Sequence, residues 1–173
     1  LVEDLAEALQ SEIQANPSHP YHHAGLEGLR QAIDALKSLC ESVGYPLQGY
    51  LERNWMLPTA LGTLRPTCLA PETMIAGDLK RPEKMLIVGF EGYLDFYPEL
   101  IADNLRQLGV EAEGMTLEIA SLKKQRLVTS RVLAEWFERQ EFRSEVVKTL
   151  KEAWRGSNAG RIGVPAVLGF QRA

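Results

Sequence analysis

Six consecutive apolar or glycine residues, Met85–Phe90 in "KMLIVGFEGYLDF", constrain the fold of this chain more than any other feature. A run without polar interruption fits a strand covered on both faces, as inside a parallel sheet. A turn carrying Gly89 and Gly92 follows, then a helical pattern from about Asp95 to Leu108 that Gly109 stops. Asp95 is the expected N-cap of that helix, because its carboxylate can accept from the free first-turn amides. Next, "VEAEGMTLEI" alternates, but its phase changes at Gly114, so a glycine bulge is expected there. Thr129 or Ser130 is expected to cap a helix carrying Val132, Leu133, Trp136 and Phe137. Ser144 is expected to cap another, which carries Val146, Val147, Leu150 and Trp154 and ends at Gly156. "RIGVPAVLG" reads as a further buried strand. The order strand, helix, strand, helices, strand over 85–169 predicts right-handed crossovers and a mainly parallel sheet with flanking helices.

Two helices are predicted ahead of this α/β region. Val2, Leu5, Leu9 and Ile13 form one amphipathic stripe, and Leu26, Leu29, Ile33, Leu36, Cys40 and Val43 form the next. Gly44 suits the second helix's C-terminal cap. Between them "ANPSHPYHHAG" reads as a surface loop. Residues 45–83 hold five prolines and no sustained period, with short extended pieces expected around Leu47–Tyr50 and Gly62–Leu69. So long an irregular stretch is unusual unless it serves function or packs on something else. The expected organisation is a helical and loop-rich region, 1–83, and an α/β region, 84–173, in one compact unit.

Composition excludes several classes. With 173 residues, 45% hydrophobic, one domain can bury roughly 70% of the surface its unfolded chain exposes, so no disulfide staple is needed. Cys40 and Cys68 form neither a metal-type pair nor a disulfide framework, which points to a reducing compartment. A net charge of -4 argues against nucleic-acid binding, and no apolar run approaches a membrane helix in length. The acidic start, "LVEDLAEALQ", has neither an initiator methionine nor a signal peptide's basic flank, and an excised piece of a longer protein is expected.

The strand–turn–helix at 85–109 has the outline of a dinucleotide-binding unit. A G-x-G-x-x-G fingerprint, though, needs its second glycine where the pyrophosphate approaches the backbone. Here Phe90 directly follows Gly89, and Glu91 places a carboxylate where a phosphate needs amides. The turn is therefore expected to be scaffold. His19, His22 and His23 lie together in "HPYHH"; Pro20 keeps a regular helix from aligning them as metal ligands, and no metal site is expected. Arg65 stands between Thr63 and Thr67 in "LGTLRPT", and a guanidinium with two hydroxyls suits a phosphate or carboxylate. The competing reading is an arginine that satisfies its own loop.

Three stretches, "HPYHHAGLEGLRQAIDALKSLCESVGYPLQG", "LPTALGTLRPTCLAP" and "KMLIVGFEGYLDFYPELIADNLRQLG", resemble in that order the middle of the B subunits of anaerobic glycerol-3-phosphate dehydrogenase. The resemblance implies a fragment of a flavoprotein whose parent carries FMN or FAD, oxidises sn-glycerol 3-phosphate to dihydroxyacetone phosphate and passes electrons to quinone. It also implies partners: the remainder of the flavin domain, and the flavoprotein and iron–sulfur subunits of a complex. The parent would be cytoplasmic, held at the inner face of the membrane through a partner protein. The segment alone is expected to bind no flavin and to be inactive. In the parent it would be the substrate-side or cap segment, with Arg65, Thr63 and Thr67 as candidate phosphate ligands. His19, His22 and His23 are the candidate catalytic bases. The alternatives are a stand-alone α/β module for a small anionic ligand and a subunit-docking domain.

Overall fold

The structure, a computed structural model, describes residues 4–125 and 127–167. Its contacts divide the chain into two units. One comprises the residues up to Leu57 together with Leu64–Lys80; the other comprises Pro58–Thr63 together with the residues from Arg81 onward.

The first unit opens with α1, Leu5–Ala15, whose N-cap Asp4 accepts from the Glu7 amide. Helix α2, Pro20–Ser42, has Pro20 in its first turn and breaks helical geometry at Gly25. "HPYHH" is thus a helical turn ahead of the predicted helix and not the expected loop. Proline is tolerated at that position because the first-turn amides have no intrahelical partner anyway. Gly44 takes the left-handed conformation just past the helix, at φ 77. Among the described residues neither α1 nor α2 buries a side chain, and Leu39 and Val43 are largely exposed, the latter a member of the predicted stripe.

Residues 45–80 resolve the irregular stretch into short pieces. Strands β1 (Leu47–Gly49), β2 (Trp55–Pro58), β3 (Leu64–Thr67) and β4 (Leu69–Pro71) precede a single helical turn, α3 (Glu72–Ile75). β1 pairs antiparallel with β4, and β2 pairs with β3. Leu57, Ala70 and Ile75 form a small core with Trp55 against it. Buried Asp78 accepts from the Met56 and Lys80 amides, and the Leu79 amide donates to the Met56 carbonyl. Carboxylate–amide bonds of this kind hold a segment too short to make its own ladder.

The second unit is the α/β region. β5 (Met85–Phe90) is buried at every residue. It pairs in parallel with β6 (Ala112–Leu117) on one side and β7 (Arg161–Gly163) on the other, giving the order β6–β5–β7 among the described residues. Helix α4 (Pro98–Gln107) buries Pro98, Ile101, Ala102 and Leu105. A 3₁₀ turn (Ala120–Leu122), α5 (Ser130–Phe137) and α6 (Gln140–Ser157) complete the unit. The core joins Leu86, Val88 and Phe90 of β5 to Leu117, Leu122, Leu133, Phe142 and Val146. The mainly parallel sheet read from the apolar run is what the chain forms.

Four local expectations are corrected. Tyr97, not Asp95, is the N-cap of α4, because Pro98 with its fixed φ takes the first helical position and delays the start by two residues. No bulge interrupts β6: the register with β5 runs unbroken from Met85↔Ala112 to Phe90↔Leu117. Ser144 lies inside α6, which starts at Gln140 and ends not at Gly156 but at Ser157, with Asn158 as its C-cap in left-handed conformation at φ 51. Trp154, expected in the core, is 44% exposed and donates its indole N–H to the Ala159 carbonyl. Thr129 does cap α5, accepting from the Val132 amide. Val2 of the first predicted stripe and Leu168 and Gly169 of the last predicted strand lie outside the described residues.

Candidate functional site

The two residue sets singled out in the sequence are placed quite differently. Thr63 closes the turn between β2 and β3: its carbonyl accepts from the Thr59 amide, and the two hydroxyls lie 2.7 Å apart. That hydroxyl is committed to its own turn. Arg65 is exposed on β3, and its guanidinium makes no hydrogen bond or ion pair among the described residues. Thr67 donates its hydroxyl to the Arg65 carbonyl at 3.3 Å. The trio is therefore not gathered as three free donors; Arg65 alone presents an uncommitted charge.

The histidines stand at the start of α2, where the His19 ring meets Tyr21 and the other two rings meet each other. His19 Nδ1 accepts from the Tyr21 amide at 3.2 Å, which puts the proton of a neutral ring on Nε2. His22 is the reverse case. Its Nδ1 lies 2.8 Å from the Ile13 carbonyl oxygen, which can only accept, so Nδ1 carries the proton and Nε2 the lone pair. The His22 and His23 rings meet edge to face, with centroids 5.8 Å apart. Among the described residues no group of three or more His, Cys, Asp or Glu could hold a metal ion.

A third feature was not legible in the sequence. In the second unit a cleft of about 410 Å³ is lined by Glu91, Gly92, Glu118, Ile119, Leu122, Lys123 and Gln125. It lies beyond the carboxyl ends of β5 and β6, the edge where parallel sheets carry their ligands. Ile119 and Leu122 are buried beneath it. Lys123 Nζ donates to Glu118 at 2.9 Å, and this bond, with the attraction between the charges, lowers the Glu118 pKa and raises that of Lys123. The Glu91 carboxylate adds to the upward push on Lys123. Two carboxylates against one ammonium make the described lining unfavourable to phosphate. The only trace in the sequence is a glutamate directly after a strand with a lysine five residues on.

Residues 2–161 match the family model for the FAD binding domain, and the chain belongs to that family. Among curated proteins it is similar to the B subunits of anaerobic glycerol-3-phosphate dehydrogenase. The B subunit from Mannheimia succiniciproducens is 36% identical over 109 residues, 61% of this chain and 25% of that one. The one from Yersinia enterocolitica is 32% identical over 126 residues, 69% of this chain and 29% of its own. For Pasteurella multocida the identity is 29% over 169 residues, 91% of this chain and 39% of that one. The chain thus spans about a quarter to two fifths of the length of these relatives. No solved structure matches it. Among the described residues no helix is long and apolar enough to cross a membrane.

The family's cofactor carries a pyrophosphate, and the strand–turn–helix of β5 and α4 is the element whose outline suits one. Its residues do not fit that group. Glu91 follows β5 directly, Asp95 is exposed in the connection, and Glu99 occupies the first turn of α4. All three oppose an anion at the helix N-terminus.

Proposed function

We propose that this chain is the substrate-side or cap segment of a flavin-dependent oxidoreductase that converts sn-glycerol 3-phosphate to dihydroxyacetone phosphate and passes the electrons to quinone. The observation that carries the reading is the likeness to the B subunits of anaerobic glycerol-3-phosphate dehydrogenase along most of the chain, joined to membership of the FAD binding domain family. In this reading residues 1–83 form the cap region and 84–173 the α/β support. The partners are the remainder of the flavin domain and the flavoprotein and iron–sulfur subunits of the complex. The intact protein works in the cytoplasm, held to the membrane's inner face through a partner.

Arg65 is the phosphate ligand in this proposal. A guanidinium with no partner of its own among the described residues can turn its fork of donors to two phosphate oxygens at once. Thr67 and Thr63 assist only by giving up the bonds they now make. Of the three histidines, His22 is the base. Its Nδ1 is anchored on the Ile13 carbonyl, so Nε2 is left to take the proton of the substrate hydroxyl. Steady-state kinetics of the full-length polypeptide test this: Arg65→Ala raises KM for glycerol 3-phosphate by roughly tenfold or more, the worth of a charge-assisted bond. An unchanged KM would remove Arg65 from the site.

A further inference from the structure

We infer that the β5–α4 turn, although it lies within the segment that matches the FAD binding domain, is a closed scaffold that does not receive the cofactor's pyrophosphate. In a dinucleotide fingerprint the glycines divide their duties: one makes the turn, one lets the phosphates approach the backbone, and one lets the helix pack on the strand. The two strand glycines against this helix do only the last of these. A Cβ placed on Gly89 would lie 2.9 Å from Cδ and 3.1 Å from Cγ of Pro98. The space beside the strand's glycine is thus filled by the first residue of the helix. On the neighbouring strand a Cβ at Gly114 would come within 2.5 Å of the Pro98 carbonyl carbon and of the Glu99 N and Cα atoms. The N-terminus of α4 is therefore pressed onto the backbone of both strands, and the absence of two side chains is what allows it.

The donors are spent or screened as well. Pro98 has no N–H to offer at the first helical position. The Glu91 amide, the first past the strand, donates to the Leu117 carbonyl at 2.9 Å. Glu99 is held in place by the Thr116 hydroxyl, which donates to its carboxylate at 3.1 Å, so a negative charge stays fixed in the first turn. Sterics, donor count and charge agree. The phosphates of the family's cofactor are recognised by other residues, and the element 85–107 contributes support.

This inference does not depend on the substrate or on Arg65, so the kinetic test above can fail without touching it. Amide NMR spectra of the labelled full-length polypeptide, titrated separately with pyrophosphate and with FAD, decide it. The expected result is no saturable shift at the amides of Gly89–Gly92 or Glu99–Ala102 with either probe. The same holds in a Glu91→Gln/Glu99→Gln variant, because Pro98 still fills the space once the charges are gone. FAD-dependent shifts confined to other residues support the inference. A saturable shift at those amides, in either protein, overturns it. A second measurement covers the packing: Gly114→Ala lowers the midpoint of thermal unfolding, and an unchanged midpoint also overturns the account.

Discussion

Lys123 answers to two carboxylates, bonded to Glu118 and within the field of Glu91, and its titration and that of Glu118 are coupled through one contact. The Glu118 pKa is lowered in the folded chain, so its share of stability is present above the ordinary carboxylate range and lost as pH falls through the lowered value. The Lys123 pKa is raised, so its share is present below the unfolded value and lost as pH rises through the raised one. Replacing Lys123 by Ala removes the main cause, the hydrogen bond, together with the charge, and moves the Glu118 midpoint up. A carboxyl-detected NMR titration reads this directly, and a midpoint that stays put would remove the contact from solution. The cleft was not singled out in the sequence. It joins residues from the ends of two strands 26 positions or more apart, and no local spacing announces such a meeting.

At the scale of elements, the left-handed Asn158 and the Thr129 cap offer two measurements. Asn tolerates the left-handed region but glycine has no steric cost there, so Asn158→Gly is expected to stabilise the protein by up to about 1 kcal/mol. Thr129→Ala removes the oxygen that accepts from the Val132 amide and is expected to cost about 1 kcal/mol. Denaturant unfolding checks both signs; a destabilised glycine variant or a neutral alanine variant would contradict the cap geometry. The strand at Met85–Phe90 was legible because burial on both faces leaves a composition that no exposed element shares. The start of α4 was not. Asp95 has the chemistry of a cap, but Pro98 fixes the first turn, and the sequence alone does not rank a side-chain bond against a locked dihedral. Gly114 misled for a related reason. Its cause is the α4 backbone lying against it, a tertiary contact that resembles a bulge when read along the strand. "HPYHH" shows the same limit, since proline punctuates loops and opens helices alike.

At the scale of the whole molecule, the family likeness and the residue chemistry answer different questions. The chain belongs to the FAD binding domain family, while the role proposed for Arg65 rests on its unpartnered guanidinium and the one inferred for the β5–α4 turn rests on its packing. Of the candidate site, the sequence exposed Arg65 through its flanking threonines, but the structure commits Thr63 to Thr59. The histidines were legible as a cluster, and only the Ile13 contact separates His22 from His19. The central claim is that this segment supplies phosphate recognition to a dehydrogenase of glycerol 3-phosphate. The most direct test is the preference of the full-length enzyme for glycerol 3-phosphate over glycerol, as a ratio of kcat/KM, before and after Arg65→Ala. The account predicts that the substitution lowers this ratio by roughly tenfold or more, through the phosphate ester alone; a ratio that survives the loss of the guanidinium would contradict it.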